Sequence, residues 1–327
     1  MPRPQPTSPS TEADSTDSTA STPPVDLDLV RRALKWAVAV AGRGREAGPP
    51  PVAERLEKAA WRTLPRDEVR EALDAVLVAP HVEPGLDALQ QLGVLAAWLP
   101  EVEAMVGMGD AEWRHKDVWK HTKQVVRQAP PRLLVRWGAL LHDIGKPRTR
   151  RIDERGKVHF HGHSEVGAAM FRRKLARRLG FEGDFHDRLH GLILYHLRPN
   201  QYRPSWTDSA VRRFRREVGD LLEDLLDLSR ADITTKRPER KRRGLRQIDE
   251  LAARIREIDA QDARIAPLPK GLGHALMEAF GIPPSKRLGD LRKALEEDVE
   301  AGHLEPQRDA DYYVAWVRAH PERFGLQ

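Results

Sequence analysis

Leu140-Leu141-His142-Asp143-Ile144-Gly145-Lys146-Pro147-Arg148 is the stretch on which the reading of this chain turns. It closes an apolar run, 133–141, whose composition and length predict a buried helix, so His142 and Asp143 stand where an interior begins. A carboxylate drawn into an apolar interior costs several kcal/mol unless a cation meets it. Lys146 follows one turn on. A divalent ion ringed by neutral imidazoles meets the same need.

Outward from that stretch the histidines cluster: eight of the thirteen lie between His121 and His196. Helical spacing sets His121 one turn from both Val118 and Val125. It sets His196 on a face with Leu189, Leu192 and Ile193, and Asp232 on a face with Leu221, Leu225 and Leu228. Separate helical segments therefore aim metal-ligating side chains at a common interior. His159 and His161 fall in an expected hairpin and read as surface or supporting groups, and His186 and His190 as ordinary helix residues.

The rest of the composition narrows the chemistry. The 327 residues, 40% hydrophobic and 32% charged, suffice for a substantial core and two or three domains. There is no Cys, which excludes disulfides, a thiolate nucleophile and Cys-ligated zinc. No run approaches the roughly 20 apolar residues of a membrane span, so no membrane partner is expected. A net charge of +6 is a mild bias toward polyanions such as RNA or nucleotides. Residues 1–24, nearly all Ser, Thr, Pro, Asp and Glu, read as a disordered tail rather than a signal peptide, and the cytoplasm is the expected location.

The expected fold is all-α, a multi-helix arrangement with one small β-hairpin near 151–160 around Glu154-Arg155-Gly156-Lys157. Helices are predicted over 25–42, 52–60, 66–78 and 85–99, then 164–179 with Ser164 as its cap, 184–197 and 208–232. Two or three more fall in 245–327, between breaks at Pro267-Leu268-Pro269 and Gly281-Ile282-Pro283-Pro284.

The order His … His-Asp … His … His … Asp resembles the HD-superfamily metal-dependent phosphohydrolases. The likeness extends to Trp113-Arg114-His115-Lys116-Asp117-Val118-Trp119-Lys120-His121-Thr122, Gly156-Lys157-Val158-His159-Phe160-His161-Gly162-His163, Trp206-Thr207-Asp208-Ser209-Ala210-Val211-Arg212-Arg213 and Ser229-Arg230-Ala231-Asp232-Ile233-Thr234-Thr235. Together these are similar to the HD part of bacterial CCA-adding tRNA nucleotidyltransferases and related poly(A) polymerases. Residues 67–99 look like their neck and body, and Leu276-Met277-Glu278-Ala279-Phe280-Gly281-Ile282-Pro283-Pro284 like their tail. After the Ser/Thr/Pro-rich tail at 1–24, the resemblance implies a helical neck and body at 25–110, an HD metal-binding domain at 111–243 and a helical tail domain at 244–327.

On that resemblance His121, His142, Asp143 and Asp232 bind a divalent metal: Mn, Ni, Co or Mg, with Zn or Fe as further candidates, as one or two ions. His163 and His196 serve a second ion or act on the substrate phosphate. Lys146 holds a phosphate oxygen, and Asp143 bridges the metal and the attacking water. The catalytic set is then Asp143, Lys146, His163 and His196, and the reaction is hydrolysis of a phosphomonoester or phosphodiester in nucleotides or RNA and tRNA 3′ ends.

The departure from the family concerns the polymerase head, a Gly-rich strand-turn feeding an Asp-x-Asp site on a sheet, which has no counterpart in this sequence. Asp26-Leu27-Asp28 and Asp309-Ala310-Asp311 match only the spacing and read as solvated acids. Asp28-Leu29-Val30-Arg31 faintly matches a base-reading Asp-x-x-Arg, with Leu27 where the family has Glu. No nucleotidyltransferase activity is expected. The alternative readings are a non-catalytic tRNA- or RNA-binding remnant, or a partner subunit of a separate nucleotidyltransferase chain. Residues 236–246 carry seven cations against one Glu, and Arg237, Arg240, Lys241, Arg242 and Arg243 are candidates to hold RNA phosphates; a solvated helix face is the other reading.

Overall fold

Asp26 caps the first helix: its carboxylate accepts from the Leu29 amide at 3.0 Å, and Leu27–Arg43 follows. Such a cap is worth about 1 kcal/mol. The computed structural model describes residues 25–109, 117–263 and 267–326. The 1–24 tail and residues 113–116 of the quoted motif lie outside them. Val30, Ala33, Leu34, Ala37 and Ala41 form a buried stripe along this helix, which packs on Arg66–Val78 and Val82–Leu92.

The architecture is all-α, as the periodicity implies. Among the described residues the only sheet is an antiparallel pair, Arg151–Ile152 with Val158–His159, in which Arg151 faces His159 and Ile152 faces Val158. The described chain divides into two compact units. The first holds residues up to 206 together with 214–251. At its centre lies Leu133–Leu141, which packs on Val118–Gln128, Gly183–Tyr195, Leu222–Ala231 and Arg66–Val78. Its Val135, Trp137, Ala139, Leu140 and Leu141 are fully buried, so the chain that emerges at His142 is already inside the core.

Four expectations change. Residues 52–57 are not helical; only Lys58–Trp61 is, because the segment lacks a buried stripe and instead lends its Leu56 amide to the Leu92 carbonyl at 3.2 Å. The predicted 85–99 helix is two, Val82–Leu92 and Val94–Trp98, and 208–232 is likewise Asp208–Val218 and Leu222–Ala231. Each break sits at a glycine with positive φ, Gly93 at 92° and Gly219 at 57°. Ser164 is not a cap: the helix begins at His163 behind Gly162, and the Ser164 hydroxyl donates to Glu165 at 2.8 Å.

The second unit holds 207–213 and 252–326 of the described residues, with Leu276, Leu295, Tyr313 and Val317 at the centre of its core. The Asp309-Ala310-Asp311 segment is a helix start, Asp309 accepting from the Tyr312 amide at 2.9 Å. Buried Asp298 accepts from Trp316 Nε1 at 3.0 Å and from Arg323 Nε at 2.9 Å. Burial alone would raise its pKa, but the hydrogen bonds from Trp316, Arg323 and His303 and the Arg323 charge hold it below the ordinary 3.8. Its contribution to stability is therefore complete above that value and fades as pH falls through the lowered one. Asp298→Asn should cost about 1–3 kcal/mol and flatten the acid limb of a pH–stability curve; a variant with an unchanged acid limb would show that Asp298 does not report on this unit.

Candidate metal centre

Each candidate ligand is delivered by the end or the face of a helix. His121 lies on Val118–Gln128, which Asp117 caps by accepting from the Lys120 amide at 3.0 Å. His142, His196 and Asp232 each occupy the residue immediately after a helix, following Leu133–Leu141, Gly183–Tyr195 and Leu222–Ala231. His163 opens His163–Met170.

These residues converge. The Asp143 side chain is 1% exposed, and its Oδ2 lies 3.1 Å from His142 Nε2 and 3.5 Å from His121 Nε2. Its Oδ1 lies 3.3 Å from His163 Nε2 and 4.0 Å from His196 Nε2, and has no hydrogen-bond partner among the described residues. Asp232 closes the first group, with Oδ1 at 3.0 Å from His121 Nε2 and 3.7 Å from His142 Nε2. Two trios of potential ligands thus share one carboxylate: His121, His142 and Asp143, and Asp143, His163 and His196.

The hydrogen bonds on the far side of the rings say what the near side can bind. His142 Nδ1 meets the Ala139 carbonyl at 2.8 Å, His163 Nδ1 the Phe160 carbonyl at 2.7 Å, and His196 Nδ1 the Ile193 carbonyl at 2.8 Å. A carbonyl only accepts, so all three Nδ1 atoms carry the proton, and in the neutral rings Nε2 presents a lone pair. His163 and His196 point those lone pairs at each other across 3.2 Å, while His142 and His121 Nε2 stand 3.4 Å apart. Facing lone pairs beside a buried carboxylate need a positive centre between them. Two ligand atoms each about 2.1 Å from one ion would stand at about these separations. The orphaned Asp143 Oδ1, the nitrogen–oxygen donor set and the carbonyl-fixed rings all fit a divalent cation.

The clustered groups also shift one another's titration. Burial would raise Asp143, but the charge and hydrogen bond of His142, the His163 ring nitrogen beside it and the charge of Lys146 hold it well below the usual carboxylate range. Asp232, opposed by burial but bonded to His121, is held at about 2. Burial would lower His142, yet Asp143 and Asp232 raise it. Burial, reinforced by the His142 charge, lowers His196 to about 4.

Lys146 Nζ donates to Asp143 Oδ2 at 2.5 Å and sits 5.5 Å from the Phe160 ring, so it faces the cluster. Arg237, Arg240, Lys241, Arg242 and Arg243 are exposed at the start of Pro238–Ala263, beginning five residues beyond Asp232, and of the five only Arg242 has a carboxylate partner, Glu239, among the described residues. The structure does not bring them into the ligand cluster. His159 pairs with Asp153 at 2.8 Å and stacks on His161, outside the trios. Thr234 escapes helical-face reasoning, although its hydroxyl touches His121; its place two residues after Asp232 is the one signal that marks it.

Residues 115–264 match the HD domain family. The chain is 32% identical over 281 residues to the A-adding tRNA nucleotidyltransferase of Deinococcus radiodurans, covering 82% of this chain and 61% of that protein. It is 32% identical over 266 residues to the CC-adding tRNA nucleotidyltransferase of Thermus thermophilus, covering 79% and 58%. A multifunctional CCA protein of Ectopseudomonas mendocina is 33% identical over 139 residues, 39% of this chain and 33% of its own length. The chain thus spans about three fifths of the length of the first two relatives.

Proposed function

We propose that this chain, whose residues 115–264 match the HD domain family, is a metal-dependent phosphohydrolase acting on phosphate esters of nucleotides or of RNA and tRNA 3′ ends. The observation that carries this reading is the pair of ligand trios hinged on buried Asp143. His121, His142, Asp143 and Asp232 would hold the principal ion, and Asp143, His163 and His196 offer a second set. When bound, a divalent cation supplies a Lewis acid for a phosphoryl oxygen and acidifies a neighbouring water.

The chain's own residues do the remainder. Asp143 orients the attacking water through Oδ1, the oxygen without a hydrogen bond. Lys146, whose one carboxylate partner among the described residues is Asp143, exchanges that contact for a phosphoryl oxygen. His163 or His196, where it is not holding an ion, would protonate the leaving oxygen. Leu140, Leu141 and Ile144, all fully buried, exclude water from behind the reacting groups.

Metal analysis of the purified chain and a panel of bis-p-nitrophenyl phosphate, 2′,3′-cyclic nucleotides and 2′-nucleotides test the proposal. Turnover that a chelator removes and Mn²⁺, Ni²⁺, Co²⁺ or Mg²⁺ restores is expected, with no nucleotide addition. No turnover with any metal would hand the site to the second reading, an RNA-binding module or partner subunit, which the tRNA enzymes among its relatives favour.

The first reading takes RNA of tRNA type or a nucleotide as substrate, the second takes RNA of tRNA type as partner, and both put the work in the cytoplasm. No helix among the described residues is long and apolar enough to cross a membrane. Arg237, Arg240, Lys241, Arg242 and Arg243 would hold backbone phosphates. Replacing all five by Gln should weaken tRNA binding and shrink the slope of log affinity against log salt by about 0.9 for each phosphate no longer neutralised. An unchanged slope in a filter-binding titration would assign the cations to a solvated face.

A further inference from the structure

Three of the four clustered histidines are oriented by a carbonyl three residues back in their own segment. His121 is not. Its Nδ1 lies 3.0 Å from the hydroxyl of Thr234, 113 residues away, in the segment joining Asp232 to the basic helix Pro238–Ala263. Thr234 is 6% exposed, so no bulk water competes for that contact.

The difference has chemical content. A carbonyl commits its histidine to one tautomer, whereas a hydroxyl can donate or accept. With no cation present, His121 has a good acceptor for an Nε2 proton, Asp232 Oδ1 at 3.0 Å. In that state Nδ1 is bare, and Thr234 can donate to it. When a cation takes the Nε2 lone pair, the proton must reside on Nδ1, and Thr234 must accept. The balance is one proton lost from Nε2, one gained at Nδ1 and a rotation of the hydroxyl.

We propose that Thr234 is a positioning residue for His121: its buried hydroxyl supports the ring in both tautomers and turns Nε2 toward Asp143 and Asp232. This rests on the metal-site reading above. The hydroxyl also fastens the 233–237 segment to the ligand helix, so the backbone leading into the basic residues is tied directly to a ligand ring.

The test uses the full chain stripped of metal, titrated with Zn²⁺ by calorimetry, in the wild type, Thr234→Val and Thr234→Ser, with folding checked by circular dichroism. Thr234→Val keeps the shape and loses the hydroxyl; Thr234→Ser restores it. The expected result is an affinity about 10- to 100-fold weaker in Thr234→Val and close to wild type in Thr234→Ser. Ring ¹⁵N spectra should show the His121 proton moving from Nε2 to Nδ1 on adding Zn²⁺ to the wild type, with the zinc-bound form incompletely populated in Thr234→Val. Should Val disturb the packing, Thr234→Ala makes the same comparison. Wild-type affinity in the hydroxyl-free variants, or a Thr234→Ser protein as weak as Thr234→Val, overturns this inference and leaves the metal site standing. A wild-type chain that binds no divalent ion overturns both.

Discussion

Asp143→Asn should lower ester hydrolysis by about a thousandfold or more while leaving the fold in place. Asn keeps the shape of the side chain, and the charge removed is one that the core has to desolvate, so the folded state loses attraction and desolvation cost together. The site, by contrast, loses its only shared group. Both carboxylate oxygens are used: Oδ2 toward His121, His142 and Lys146, Oδ1 toward His163 and His196. No other carboxylate belongs to both trios among the described residues. The measurement is turnover of bis-p-nitrophenyl phosphate beside a metal titration; activity within tenfold of wild type would mean that the chemistry happens elsewhere.

Gly145→Ala should be the most damaging of the small substitutions near the site. A Cβ at Gly145 would stand 2.0 Å from the His163 carbonyl oxygen and 2.8 Å from the Gly167 amide nitrogen, both backbone atoms with no rotamer by which to escape. Overpacking of this kind costs about 1–3 kcal/mol, and a melting temperature lower by about 2–12 °C follows for a unit of this size. The strain has a direction. It separates the His142-Asp143 turn from the helix that begins at His163, so the Asp143, His163 and His196 trio should open while His121, His142 and Asp143 stay together. A variant that melts with the wild type, or that loses both trios equally, would refute this account.

Much of the candidate site is legible in the sequence, for a physical reason. A charged or polar residue at an apolar helical position requires a partner, and the spacing around His121, His142, His196 and Asp232 marks where partners are required. The all-α class and the 151–160 hairpin follow from the same periodicity and from Glu154-Arg155-Gly156-Lys157. What the pattern cannot carry is contact across long sequence separation. Thr234 resembles any other residue of a polar linker until folding sets it against His121, and Gly145 shows its purpose only when the His163 backbone is laid against it. Helix ends fail for a related reason: at 52–57 the Leu56 amide finds its partner in Leu92, a tertiary bond that local propensity does not register.

Three of the candidate ligand positions, His142, His196 and Asp232, come directly after the last turn of a helix. The carbonyl end of a helix carries a partial negative charge, softened here where the Ala139, Ile193 and Ala231 carbonyls accept from His142, His196 and Gln128, and three such ends lie beside two carboxylates. On the metal-site reading, a cation therefore meets a more favourable floor than a phosphate does before the site is filled. That reading makes occupancy sequential: the positive ion would enter first, drawn by the helix ends as well as by its ligands, and the anion would follow. Starved of metal, the protein would turn its substrate away instead of holding it unreacted.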